Sequence, residues 1–107
     1  MTLLDELQSK FAQNAFEFSR HALDQSLRRH ISVQEIREAV DCSEAIEDYP
    51  NDKYGASCLL LGLTVAGRAL HIQCSYPSRP LIKIVTVYEP DPVLWENLRV
   101  RRTADEH

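Results

Sequence analysis

Hydrophobic and polar residues alternate cleanly over Ala69-Leu-His-Ile-Gln-Cys-Ser-Tyr76, and this run organises the reading of the chain. A strand of period two sends successive side chains to opposite sheet faces. Leu70, Ile72, Cys74 and Tyr76 are therefore predicted to face a core. His71, Gln73 and Ser75 are predicted on the other face, as an open row of imidazole, amide and hydroxyl roughly 7 Å apart.

Upstream the period is helical. Leu4, Leu7, Phe11, Ala15 and Phe18 recur at steps of three and four, which predicts a helix with one buried stripe. Ser19 is suited to cap a second helix with Ala22, Leu23, Ser26 and Leu27 on its inner side. No Pro or Gly separates the two segments, so one kinked helix and two helices fit equally well. Ser32-Val-Gln-Glu35 is a capping box, with Ile31 and Ile36 at the positions of a hydrophobic staple. It predicts a helix over Val33 to Val40 that buries Val33, Ile36, Ala39 and Val40.

After Asp41-Cys-Ser43 the pattern turns to strands. Glu44–Tyr49 reads as an edge strand stopped by Pro50, and residues 51–56 as a polar loop closed by Gly55. Ser57–Leu63 is mostly continuous apolar sequence and reads as a buried strand. The Ala66-Gly67 turn joins it to the alternating run as a hairpin. Pro77-Ser-Arg-Pro80 turns the chain into a further strand over Leu81–Tyr88. A last helical turn carrying Leu94, Trp95 and Leu98 is expected after Pro90 and Pro92, followed by a charged, frayed tail over 99–107. Helices first and strands afterwards predict a single α+β domain over 1–98. N-terminal helices would pack on one face of a three- to four-stranded antiparallel sheet, with the opposite face left to solvent or a ligand.

At 107 residues the chain is sized for one core. Its longest apolar run, Cys58-Leu-Leu-Leu61, is far short of the 18 or more residues of a membrane span. The opening Met-Thr-Leu-Leu-Asp-Glu lacks the layout of a secretory signal, so a cytoplasmic location and no membrane partner are expected. Three cysteines without a close pair (Cys42, Cys58, Cys74) fit a reducing compartment and do not form a disulfide framework. The net charge of −4 conceals a segregation. Residues 1–50 hold five basic side chains against ten acidic ones, whereas 51–88 hold Lys53, Arg68, Arg79 and Lys83 against Asp52 alone. An anionic ligand is expected at the strand-rich middle.

Each candidate group has a structural and a chemical reading. His71 suits proton transfer near neutral pH, and equally suits a solvated sheet position. Lys83, on the adjoining strand, fits a phosphate contact or a snorkelling lysine; a one-residue slip of register would flip its face. Arg68 and Arg79 lie in turns at opposite ends of the central strand, as phosphate contacts or solvated turn residues. His21 stands at the start of the second helix, and Arg28-Arg29-His30 at its end, where cations complement the helix dipole. Glu47 and Tyr49 share one side of the first strand, as a base with its positioning hydroxyl or as ordinary edge polarity. The cysteines lie sixteen residues apart without metal-ligand spacing, and there is no phosphate loop or nucleophile elbow. No metal and no cofactor are expected.

The segments Phe18-Ser-Arg-His-Ala22, Arg29-His-Ile-Ser32, Ile46-Glu-Asp-Tyr-Pro50, Ser57-Cys-Leu-Leu-Leu-Gly62, Gly67-Arg-Ala-Leu-His-Ile72 and Ile84-Val-Thr-Val-Tyr-Glu-Pro-Asp-Pro92 resemble a small bacterial domain of unknown function related to the RelE/ParE and BrnT toxins. The resemblance covers residues 16–95. It implies a RelE-like fold and a toxin–antitoxin setting, in which a ribonuclease toxin is paired with a small antitoxin that often carries a zinc finger. Carried onto this chain, it implies RNA, free or ribosome-bound, as the substrate. His71 becomes the acid/base group, with His21 as a second imidazole and Tyr88 or Tyr49 positioning. Arg68, Arg79, Lys83 and Arg29 become phosphate contacts. Two functions are thus expected side by side: metal-independent transesterification of RNA, or a module that kept the fold, lost the chemistry and pairs with an antitoxin-like protein or a second copy. The nuclease reading requires an uncovered His71, with Arg68, Arg79 and Lys83 sharing a concavity.

Overall fold

A computed structural model describes residues 2–102. Thr2 and Asp5 cap the first helix, α1 (Leu3–Ala12), by exchanging side-chain-to-backbone hydrogen bonds. The helix ends at Ala12, six residues before Phe18, the last member of the predicted stripe. Asn14 adopts a φ of 61°, and Phe16–Phe18 extends as strand β1. Phe16 and Phe18 satisfy period two as well as they satisfy a helical stripe, and unpaired backbone on the neighbouring strand decides between the two. Asn14 is the break that the missing Pro and Gly concealed, because Asn tolerates the left-handed region.

Ser19 caps α2 (Arg20–Arg28), and His30, at φ 54°, ends the turn after it. The capping box of Ser32 and Glu35 forms as predicted and opens α3 (Val33–Asp41). Ile31 and Ile36 are buried together with Ala39 and Val40, but Val33 is half exposed. The inner face of α2 is also narrower than predicted: Ala22 and Ser26 are buried while Leu23 and Leu27 face solvent. Small side chains let this helix lie close to the sheet, and Gln25 Oε1 accepts a hydrogen bond from Val87 N at 2.9 Å.

Four further strands follow, β2 (Glu44–Tyr49), β3 (Ser57–Leu63), β4 (Ala69–Ser75) and β5 (Ile82–Tyr88). They form one sheet in the order β1-β5-β4-β3-β2. The four longer strands are antiparallel, as expected, but β1 runs parallel to β5, pairing Phe16 with Ile82 and Phe18 with Ile84. The domain is therefore α+β with a five-stranded mixed sheet, not a purely antiparallel sheet of three or four strands. A bulge in β5 between Ile84 and Thr86 sets its faces. Ile82, Ile84 and Val87 all enter the core despite spacings of two and then three, and Lys83, Thr86 and Tyr88 go to the other face.

The main core lies between the helices and one sheet face, with Leu7, Phe11, Ile36, Leu60, Leu70, Ile72 and Ile84 near its centre. At Gly62 the α3 backbone comes so close that an added Cβ would lie 1.9 Å from Ala39 O. The second face is not left open. Residues 91–102 turn back over it and close with a small hairpin, β6 (Trp95–Glu96) paired with β7 (Val100–Arg101). Leu59, Leu61, His71 and Trp95 form a second buried group there, separate from the main core. Arg99–Arg102 thus belong to the folded body instead of a tail, and residues 103–107 lie outside the described residues. No described helix is long and apolar enough to cross a membrane.

Gly62→Ala is expected to lower the thermal midpoint by on the order of 10 °C or more, because backbone blocks the methyl group. Calorimetry of the two forms checks this, and an unchanged midpoint would mean that α3 lies farther from the sheet.

Candidate active site

His71 is fully buried, and the predicted open imidazole is corrected on that point. Alternation along β4 does place it away from the main core, but the returning chain covers it. The Trp95 ring meets it edge-on with centroids 4.4 Å apart, and Tyr88, its cross-strand partner, lies at 5.3 Å. Both ring nitrogens are engaged. Nε2 lies 2.6 Å from Leu98 O, and Nδ1 lies 3.1 Å from Tyr88 Oη. A carbonyl only accepts, so Nε2 carries the proton and Nδ1 accepts from the Tyr88 hydroxyl. Burial lowers the His71 pKa, opposed by the bond to Leu98, so the ring is neutral at physiological pH. Burial also raises the Tyr88 pKa, and the phenol keeps its proton.

Tyr88 is the member of this pair that reaches the surface. With Arg29, Thr86, Trp95 and Arg101 it lines a groove of about 450 Å³, whose walls also include Glu89 and Asp91. Arg101 stacks over the Trp95 ring at 4.6 Å and pairs with Glu47 at 3.1 Å. Tyr49 donates its hydroxyl to the same Glu47. Its own pKa is raised, first by burial and then by that carboxylate. Glu47 and Tyr49 thus act together, as partners of an arginine that sequence reasoning assigned to the tail. The signal for Arg101 was indirect. A strand as continuously apolar as β3 is covered on both faces, so Leu59 and Leu61 already required something over the second face.

The other candidates separate. Arg29 joins the groove of Tyr88. Arg68 does not: its guanidinium pairs with Glu35 at 3.1 Å and Glu89 at 2.9 Å, and donates to the carbonyls of Arg29 and His30. It ties the end of α2 to the cap of α3, and it is held charged chiefly by Glu89. Lys83 and Arg79 line a different cavity together with Gln73 and Ser75. The concavity expected to unite Arg68, Arg79 and Lys83 is therefore absent, because β4 separates the turn of Arg68 from that of Arg79. His21 is exposed on α2 and lies outside the groove lining. Among the described residues no cluster of three or more His, Cys, Asp or Glu side chains is placed to hold a metal ion.

A family described as a domain of unknown function, DUF4258, matches residues 18–89. The chain belongs to the DUF4258 family. The matched span of this DUF4258 domain runs from the end of β1 to just beyond β5, so it contains Arg29, His71 and Tyr88, while Trp95, Leu98 and Arg101 lie outside it. No curated protein and no solved structure matches the chain.

The buried neutral His71 makes stability depend on pH. Its folded pKa lies below the unfolded value, so the unfolded chain binds the extra proton between the two. The contribution is complete above about pH 6.5 and is lost as pH falls through the folded pKa. Urea unfolding of wild type is expected to weaken from pH 7 toward pH 5, above the range where carboxylates titrate, and His71→Gln should flatten that part of the profile. An equal slope in both proteins would place the pH dependence elsewhere.

Proposed function

We propose that this DUF4258 domain is a RelE-like endoribonuclease of toxin–antitoxin type that cuts RNA without a metal, with Tyr88 rather than His71 meeting the substrate. The supporting observation is the hydrogen bond from the Tyr88 hydroxyl to neutral His71 Nδ1, behind a groove that also holds Arg29 and Arg101. With its proton directed at His71, Tyr88 Oη can accept one from a ribose 2′-hydroxyl. As that proton arrives, the phenolic proton passes to His71 Nδ1, and the 2′-oxygen attacks the adjacent phosphorus. The bond from phosphorus to the 5′-oxygen breaks, leaving a 2′,3′-cyclic phosphate. The departing oxygen takes a proton from water, and the hydroxide so formed takes back the proton held by His71, returned through the Tyr88 hydroxyl, which restores the neutral pair. Arg29 and Arg101, which line the same groove, stabilise charge on the phosphoryl oxygens in this reading. Leu98 O fixes the tautomer, as the third group of a catalytic relay does. The relation to the RelE/ParE and BrnT toxins, and a small antitoxin as partner, are parts of this proposal.

A second reading keeps the fold without the chemistry, and the sealing of His71 favours it. An imidazole with lowered pKa is a weak base, and Arg101 is already neutralised by Glu47. In that case the domain binds a partner protein, and β2, with no strand beyond it in the sheet order, is the edge to which a partner strand adds.

Incubation of purified protein with RNA, with and without ribosomes and with chelator present, separates the two. Cleavage should leave 2′,3′-cyclic phosphate ends. Tyr88→Phe should reduce the rate by about 100-fold or more while the protein stays folded. Intact RNA under all conditions would leave only the binding module, and full activity in Tyr88→Phe would remove the relay.

A further inference from the structure

The cavity of Lys83 and Arg79 is unused by the groove of Tyr88. We infer that it binds a terminal phosphate, one carried by a nucleotide, and that the ring of Tyr54 takes the base. The inference stands apart from the cleavage reading.

Three observations carry it. The first is charge: the cavity holds two cations for which, among the described residues, no carboxylate lies within ion-pairing distance, whereas Arg68, Arg99 and Arg101 are all paired. Of the acids nearby, Glu17 is the register partner of Lys83 on β1 without forming an ion pair with it, and two others are engaged with other groups. Asp52, which lines the cavity, accepts from Tyr54 N at 3.4 Å, and Asp48 accepts the Tyr76 hydroxyl at 2.5 Å. A phosphate monoester carries between one and a half and two negative charges at neutral pH, which two cations match and a single diester charge does not.

The second is construction. Lys10 Nζ donates to the carbonyls of Arg79 and Pro80 at 2.6 and 3.2 Å, fixing the turn that carries Arg79. Lys83 N donates to Ser75 Oγ at 2.9 Å, and the bulge in β5 turns Lys83 onto the same side as Gln73. Both cations thus stand on fixed backbone beside serine hydroxyls that can donate to phosphate oxygens.

The third is size and surroundings. At about 170 Å³ the cavity is too small for a whole drug-sized ligand and suits a phosphate with part of what it is attached to. Tyr54, on its wall, is 83% exposed, with Lys53 Nζ 4.9 Å from the ring centroid. An exposed ring beside two cations is the pairing by which a base and its phosphate are held together.

Isothermal titration with adenosine 5′-monophosphate and with adenosine tests the inference. A six-nucleotide RNA with a 5′-phosphate or a 5′-hydroxyl separates a strand end from a free nucleotide as the source. The monophosphate should bind and adenosine should bind at least about tenfold more weakly. The double variant Lys83→Gln/Arg79→Gln should lose about tenfold or more in affinity for the monophosphate, with a shallower salt dependence. Tyr54→Ala should lose about tenfold for the monophosphate while inorganic phosphate competes as before. Thermal unfolding confirms that each variant is folded. Tighter binding of the phosphorylated hexamer than of the mononucleotide assigns the site to strand ends, and equal binding assigns it to free nucleotides. Equal affinity for adenosine and its monophosphate, binding of neither, or wild-type affinity in the double variant would overturn the inference. RNA cleavage measured in parallel keeps the two readings apart. Cleavage without monophosphate binding removes only this site, and binding without cleavage removes only the nuclease.

Discussion

The second face of this sheet is organised around one imidazole that has to stay neutral. His71 sits between β4 and the returning chain, donating to Leu98 O and accepting from Tyr88 Oη. Each bond contributes on the order of 1 kcal/mol while made, but a buried ring left without partners costs about 1–3 kcal/mol per group. The hairpin of Trp95–Glu96 and Val100–Arg101 is too short to stand alone, since isolated two-stranded hairpins are marginal in water. Burial of Trp95 against His71 and stacking of Arg101 on the indole supply what its backbone pairing does not. Its ion pairs add less: both partners of Arg99–Glu44 are about half exposed, and such pairs contribute roughly 0–1 kcal/mol.

That constraint also arranges the surface. Covering His71 brings Arg101 and Trp95 beside Tyr88 and Arg29, so the groove is built jointly by the strand-rich middle and a segment outside the family match. Arg68 serves structure at the other end of β4, where it satisfies carbonyls at the end of α2 and the capping carboxylate Glu35. Lys83 and Arg79 are released from both tasks. The excess of positive charge over residues 51–88 is thereby divided, into one arginine locked in a network, two cations in a separate cavity, and Lys53 over the Tyr54 ring.

The parts of this fold that were legible in the sequence are those set by local geometry. The capping box at Ser32 and Glu35, the Ser19 cap, the alternation of β4 and the hairpin through Gly67 each depend on a few neighbouring residues, and each forms as read. Phe16–Phe18 was misread because three residues carry too little pattern to separate period two from period 3.6. The hydrogen bonds that decide the matter come from β5, more than sixty positions away. Lys83 was undecided for a related reason: a bulge shifts the register of β5, and alternation alone does not announce it.

By itself the sequence determined an α+β domain, the element boundaries marked by caps and turns, and the side of β4 on which His71 stands. It also held His71, Tyr88 and Arg29 as candidates, but not their relation. Tertiary structure decided that β1 lies parallel to β5, that residues 91–102 close the second face, and that Tyr88 instead of His71 meets the groove. The physical reason is range. Caps, turns and alternation are settled between neighbours, whereas burial of a side chain depends on which distant segment comes to lie over it.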